Sequence, residues 1–441
     1  MTQSVEVPWG SDLLNVGVPD KWRILGELKP KGMTIQVSPA ESCAQALSEP
    51  IGATRLASRN LSGKRVLILV DDHSRPTPIK DFLSPILDEL ATAGVSKDNI
   101  EFLIATGVHR TSRPEEVRNK LGPEIMSTYS WRCHDGYDTS GLADLGTTSR
   151  GTRVIVNRKL LDADLIVCVG AVEPHLLLGF GGGLKMIIPG CAGAETIGKN
   201  HMQGVDPDHF DYVGTNGENS PMRLDLEEGA LLLRREIFIV NAAINEHARP
   251  AKFFCGDPIL AHRMGERFIT DTTRLEVPEQ ADVVIANSYP MDADLRQSLK
   301  CIGNSLYASK PGGIMMGFAR SLNGLGEMPL AKKTLPYSAM RTILKIIGKK
   351  RVLPLVEKAK KDEPVEEIFI GHFGLQMLRR NHLAIFSDSK LLPQDIGRKM
   401  GLARSFTDVP SMMNWAVSKA SSQATVWVFP YGGSAYASFS G

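Results

Sequence analysis

Little in this chain points to a membrane, a nucleic acid or an oxidising compartment. Its apolar runs fall short of the roughly 18 residues that a membrane span needs. Lysine and arginine total 51 against 49 acidic residues, a formal charge of +2. No global field therefore favours nucleic acid or an anionic membrane. The opening MTQSVEVPWGSDLL lacks a basic segment followed by an apolar one, so no secretion signal is expected. Six cysteines, at 43, 133, 168, 191, 255 and 301, show no CxxC spacing. Reduced thiols in a cytoplasmic protein are expected, rather than disulfides or a structural zinc site. Cys168 in an apolar run and Cys191 after a Pro-Gly turn read as packing residues. Internal repeats and low-complexity tracts are also missing.

What is present is alternation. RVLILVD (65–71) reads as a buried strand, and apolar residues at 79, 82, 83, 86, 87, 90 and 91 mark one helix face ending at Gly94. IEFLIA (100–105), RVIVN (153–157), ADLIVCVG (163–170) and IFIVN (237–241) read as further strands, with a Pro-started helix at 113–122. A second series has strands at 281–287, 312–319, 382–387 and 424–429, and a helix-like stretch at 294–308. Residues 320–367 are Lys-rich and read as a helical insertion. Such alternation predicts an α/β protein with two α/β domains, mostly parallel sheets and an active-site cleft between domains. The expected domains are 1–275 and 276–441, joined through TRLEVPEQ (273–280), with the last strand (about 420–441) fitting either.

Polar residues gather where the strands end. DDHSRPTP (71–78) follows the first, TGVHR (106–110) the second, and AVEPHLLLGFGGGLK (171–185) another. Asp72, His73, Arg75, His109 and His175 thus converge on one sheet edge, where α/β proteins bind ligands. Histidine suits proton transfer near neutral pH, and arginine offers a fork for a carboxylate. His73 fits either packing or the site. The glycine loop matches neither common phosphate fingerprint. Lys185 lies between Leu184 and Met186, which fails Gly-Lys-Ser/Thr, and GxGxxG fails from Gly179 and from Gly181. Gly179, Gly181, Gly182 and Gly183 still permit close backbone approach to a phosphate. A desolvated Lys185 would be a nucleophile and a charged one a phosphate ligand; the loop alone leaves both open. His201 and His209 follow without a zinc spacing.

Taken together, DDHSRPTP, ATGVHR, EPHLLLGFGGGLKMIIPGCAG, the Asn-His pair at 200–201 and GTNGENSPMRLDLEE (214–228) resemble the nickel-dependent lactate racemase family. Their order and intervals match over roughly residues 35–310. The resemblance implies a nickel-pincer nucleotide, a pyridinium-3-thioamide-5-thiocarboxylic acid mononucleotide carrying Ni. It implies that Lys185 tethers this group, that His201 ligates nickel, and that the Gly179–Gly183 loop holds the nucleotide. His109 and His175 then fall on the acid/base pair, Asp72 on the acid orienting His109, and Arg75 near the substrate. In the second domain Gln297 and Lys300 match substrate-contacting positions.

The chemistry asks for such a pair. Racemising a 2-hydroxy acid by proton abstraction at carbon 2 would pass through a doubly charged enediolate; hydride loss gives a planar keto acid instead. Inversion then wants one acid/base group per face. Arg296 stands where the lactate enzymes carry an aromatic residue, and Phe373 where they carry a tryptophan. An added guanidinium suits a substrate larger or more anionic than lactate, with a malate-like dicarboxylate first; lactate itself or a sugar acid is the alternative within the family. The readings outside it are a nucleotide-dependent transferase and a non-enzymatic solute-binding protein. The implied partners are a small 2-hydroxy acid and cofactor-synthesis enzymes, with neither nucleic acid nor membrane.

Overall fold

The computed structural model describes the chain except residues 1–2, 207–210, 327, 329, 331–333, 361–362, 364 and 440–441. It forms two compact units, one of residues 33–204 and 214–271, the other of residues 1–32, 205–213 and 272–441. The first 32 residues, grouped by the sequence with 33–275, thus pack with the C-terminal series. The reason is a strand pairing: Arg23–Glu27 lies parallel to Thr425–Phe429 at the sheet edge.

The unit of residues 33–204 and 214–271 is built on a six-stranded sheet. Its order is Pro250–Gly256, Glu236–Ile244, Leu165–Val172, Val66–Asp71, Ile100–Ala105, Ser130–Cys133. All neighbours are parallel except the first pair. Val66–Asp71 and Leu165–Val172 are buried along their whole length, as expected of strands covered on both faces. Phe82, Ile86, Leu90, Phe102, Phe238 and Phe253 fill the core on one side. The expected 79–94 helix is shorter. A 3-10 turn covers Ile79–Asp81, and the helix proper, Ser84–Thr92, begins where Pro85 can occupy its first turn.

Strand order reverses at Val66–Asp71, flanked by Ile100–Ala105 on one side and Leu165–Val172 on the other. That reversal opens a crevice at the carboxyl ends. The loops at 72–78, 106–110 and 173–185 all begin there.

The other unit carries a fully parallel six-stranded sheet, ordered Arg404–Phe406, His382–Phe386, Ser309–Phe318, Ala281–Asn287, Thr425–Phe429, Arg23–Glu27. Its core includes Val283, Ile285, Met316, Phe318, Val426 and Val428. The hairpin Gln3–Trp9 with Asp12–Val18 packs on that core through Val5, Val7, Val16 and Val18. The 294–308 stretch is three short pieces, Leu295–Ser298, Lys300–Asn304 and a 3-10 turn at Leu306–Ala308. Helices Tyr337–Ile347 and Val352–Ala359 occupy the Lys-rich region. No helix among the described residues is long and apolar enough to cross a membrane. All six cysteines are free, and Cys168 and Cys191 are buried.

Candidate active site

Past Val66–Asp71 the chain turns on Asp72. Ser74 donates to Asp72 Oδ1 from its backbone N at 3.0 Å and from its Oγ at 2.6 Å. Asp72 Oδ2 accepts from His109 Nδ1 at 2.7 Å. The Asp72 side chain is 3% exposed and that of His109 22%. Burial pushes the Asp72 carboxyl upward, but the hydrogen bond and charge of His109, with the Ser74 hydroxyl, outweigh it. The carboxyl is held well below the usual range. An ionised carboxylate only accepts, so the shared proton sits on His109 Nδ1, and whenever the ring is neutral its lone pair is on Nε2.

His175 is wired in the reverse sense. It sits on a two-residue ladder, Pro174–His175 against Gly179–Phe180. Its Nδ1 accepts from Leu177 N and Leu178 N, each at 3.3 Å. A neutral ring held this way carries its proton on Nε2.

Arg75 lies in the same turn as Asp72. Its Nη1 donates to Glu173 Oε1 at 3.0 Å. Lys120 braces the turn from the protein side, donating to Asp71 Oδ1 at 2.7 Å, Arg75 O at 2.8 Å and Thr77 O at 3.1 Å. His73 bonds Ser112 Oγ at 2.9 Å and braces the same region.

Lys185 is half-buried in the 3-10 turn Gly183–Met186. Gly181 N–H donates to Glu173 O at 2.7 Å, and Gly183 N–H to Asn241 Oδ1 at 3.1 Å. Gly179 and Gly182 have φ of +77° and +84°. A Cβ on Gly179 would lie 1.7 Å from Thr215 O, and one on Gly182 2.6 Å from Ala171 O. The chain's own backbone therefore demands glycine at both. Gly181 is different: an added Cβ would stand 3.8 Å from Lys185 Nζ and 3.4 Å from Glu173 Cγ. Glu173 thus reaches both Arg75 and the neighbourhood of Lys185.

His201 is on helix Ala194–Met202, and its Nδ1 donates to Ile197 O at 2.7 Å. The lone pair is then on Nε2, the form a metal ligand needs. His209 lies outside the described residues. Among the described residues no three His, Cys, Asp or Glu side chains gather as a metal site. One correctly oriented histidine plus an accessible lysine fits a metal group that brings its own remaining ligands.

The other unit holds Arg296 and Gln297 on Leu295–Ser298 and Lys300 at the start of the next helix. Gln297 is 5% exposed, and its Oε1 has no partner among the described residues. Arg296 and Lys300 are half-buried.

Residues 9–210 match the lactate racemase N-terminal domain. A curated lactate racemase of Thermoanaerobacterium thermosaccharolyticum is 29% identical over 420 residues, covering 93% of this chain and 96% of that one. The lactate racemase of Lactiplantibacillus plantarum is 27% identical over 327 residues, covering 73% and 76%. The structure of the lactate racemase apoprotein from T. thermosaccharolyticum superposes with a TM-score of 0.83 at 26% identity, over 99% of this chain and 100% of that one. The family model, both curated enzymes and the solved apoprotein all support the lactate racemase family for this chain. The chain is accordingly an isomerase. A Thermotoga maritima protein at 18% identity, with a TM-score of 0.66 over 91% and 97% of the chains, shares the fold.

Several residues around this racemase-family site carry no signal of their own in the sequence. Lys120, in the charged run of helix Pro114–Leu121, reads as a surface charge. Asn241 closes the apolar run IFIVN in the sequence, although its strand continues to Ile244. Arg223, His262 and Glu266 sit in helices Pro221–Leu231 and Leu260–Thr273, where charges usually mark the solvent face, yet all three are buried.

Proposed function

We propose that this protein racemises or epimerises a 2-hydroxy acid, with His109 and His175 as its acid/base pair. The observation that carries this reading is the opposite wiring of the two rings. With Nδ1–H tied to Asp72, His109 presents a basic Nε2 able to take the substrate's hydroxyl proton. With Nδ1 tied to two backbone amides, His175 presents Nε2–H able to return one. A resting pair of one base and one acid is what a two-faced reaction needs.

The cofactor that fits is a nickel-pincer nucleotide, which supplies reversible hydride exchange at carbon 2 and so a planar 2-keto acid. Lys185 would hold it covalently and His201 would ligate its nickel through Nε2. Arg75 would bind the substrate carboxylate, exchanging its contact with Glu173 for it. Asp72 keeps the His109 tautomer fixed while the proton moves. Gln297 and Lys300 are assigned to the substrate by their match to family positions. Arg296 argues for a second anionic group, so the first candidate substrate is a malate-like dicarboxylate. The protein works in the cytoplasm, where cofactor-synthesis enzymes mature it.

The test is to produce the protein together with such enzymes, then measure intact mass, nickel content and the racemisation of single-enantiomer 2-hydroxy acids by chiral chromatography. The expected result is an adduct on Lys185, stoichiometric nickel and inversion of at least one acid, all lost in Lys185→Ala. Unmodified Lys185 without nickel, alongside binding of a nucleoside triphosphate, would support a transferase instead.

A further inference from the structure

The motif GTNGENSPMRLDLEE is not used by the acid/base chemistry, and the structure gives it work. It wraps the carbonyl side of the loop that leads to Lys185. Gly214 N donates to Gly179 O at 3.1 Å, and Ser220 Oγ reaches Leu177 O at 3.5 Å. Arg223 donates from Nη2 to Phe180 O and from Nη1 to Gly182 O, the latter at 3.2 Å. His262 Nε2 donates to Gly181 O at 2.7 Å. Three successive carbonyls are therefore held by two buried side chains. Gly182 O is also the acceptor of Lys185 N, at 3.3 Å. One carbonyl oxygen thus joins the Arg223 guanidinium to the backbone of Lys185.

Behind these two lies a balanced set of charges. Arg263 binds Glu227 through both arms, at 2.9 and 2.7 Å. Its Nη1 also lies 3.3 Å from His262 Nδ1 and 3.4 Å from Glu266 Oε1. Glu266 Oε1 is 3.1 Å from His262 Nδ1, and Glu266 Oε2 accepts from Gly217 N at 3.2 Å. Two arginines offset two glutamates. Burial, then Arg223 nearby, lowers the His262 pKa against the pull of Glu266, and because a carbonyl only accepts, His262 Nε2 carries the proton given to Gly181 O. Arg223 is fully buried, and burial pushes its pKa down only to about 10, so it remains a cation at neutral pH.

Packing alone would not call for this arrangement. Apolar residues of similar volume fill a core at less desolvation cost than buried ions. What they cannot do is satisfy three backbone acceptors that a glycine run leaves in the interior. The fit is close as well: a Cβ on Gly183 would stand 2.9 Å from His262 Cδ2.

We propose that Arg223 and His262 are positioning residues for Lys185: by fixing the Phe180, Gly181 and Gly182 carbonyls they set where its amine is offered. The functional meaning rests on Lys185 being the cofactor tether, but the positioning itself is testable without any cofactor. In the full-length cofactor-free protein, amines are labelled with N-hydroxysuccinimidyl acetate and mapped by peptide mass spectrometry. Lys185 is referenced to the exposed Lys97 in the same sample. His262→Leu and Arg223→Met should raise the Lys185:Lys97 labelling ratio about threefold or more, as the loop opens locally. His262→Gln, which keeps a side-chain N–H donor, should restore the parental ratio. Where a Leu or Met variant does not fold, Arg223→Lys, which keeps the charge but serves one carbonyl, carries the same test. An unchanged ratio in a folded variant overturns the proposal, as does a Gln variant no better than Leu. If Lys185 proves not to be a tether, wild-type protein will fail to take up cofactor while these labelling ratios stand.

Discussion

His109 and His175 hold their imidazoles in opposite tautomers, one fixed by the Asp72 carboxylate and the other by two peptide N–H groups. The difference lies in what Nδ1 meets. A carboxylate makes it a donor; amides make it an acceptor. Substitution of Asp72 by asparagine should undo the first of these. An amide can present N–H to Nδ1 and send the ring proton to Nε2, where it blocks proton uptake. Turnover of cofactor-loaded Asp72→Asn should fall roughly 10³- to 10⁴-fold, as for the analogous change in catalytic triads. KM should move much less. Steady-state kinetics on one enantiomer decides it, and a loss confined to KM would count against the tautomer account.

The same carboxylate makes stability depend on pH. An unfolded aspartate takes up its proton near pH 4, approximately, whereas folded Asp72 does so only at much lower pH. Below about pH 4 the unfolded chain therefore binds the extra proton, and stability rises with pH across that window. The contribution is complete above it and fades as pH falls. Urea midpoints of the parent and of Asp72→Asn, compared from about pH 6 down to 3, should converge on acidification. Curves that stay parallel would rule this out.

Arg296 should tune the substrate. Replacing it with tyrosine ought to lower kcat/KM for malate relative to lactate by about tenfold, the worth of one charge-assisted hydrogen bond. If lactate is already the better substrate and the ratio does not move, Arg296 does not read a second carboxylate.

Gly182 should tolerate no side chain. Alanine there meets both a φ of +84° and a carbonyl oxygen 2.6 Å away. Gly182→Ala should cost about 2 kcal/mol or more of unfolding free energy. Chemical denaturation of the cofactor-free protein measures it directly; a cost near zero would mean the loop relaxes elsewhere.

Much of the fold is written locally. Ile100–Ala105 and Ala281–Asn287 coincide with the apolar runs read from the sequence, because buried parallel strands need continuous apolar residues; Arg153–Asn157 also forms a strand, but antiparallel to Leu142–Thr147 and buried only at alternate residues. Asp72 and His109 were legible for a related reason, since polar residues directly after such runs fall at a sheet's carboxyl edge. Arg23–Glu27 was not: RILGE is short and half polar, and its partner comes from the far end of the chain. Arg223 and His262 were hidden by the opposite problem. A charged residue within a helix reads as solvated unless one knows that a glycine loop with unsatisfied carbonyls lies against it.

That edge pairing has a consequence for the order in which the molecule can be made. Arg23–Glu27 leaves the ribosome about 400 residues ahead of the strand it joins. Residues 33–271 contain all six strands of the other sheet, so that sheet can close while synthesis continues. During that interval the N-terminal strand has an exposed edge and nothing native to pair with. Arg23–Glu27 is thus the strand that needs shielding in the cell until Thr425–Phe429 has been made.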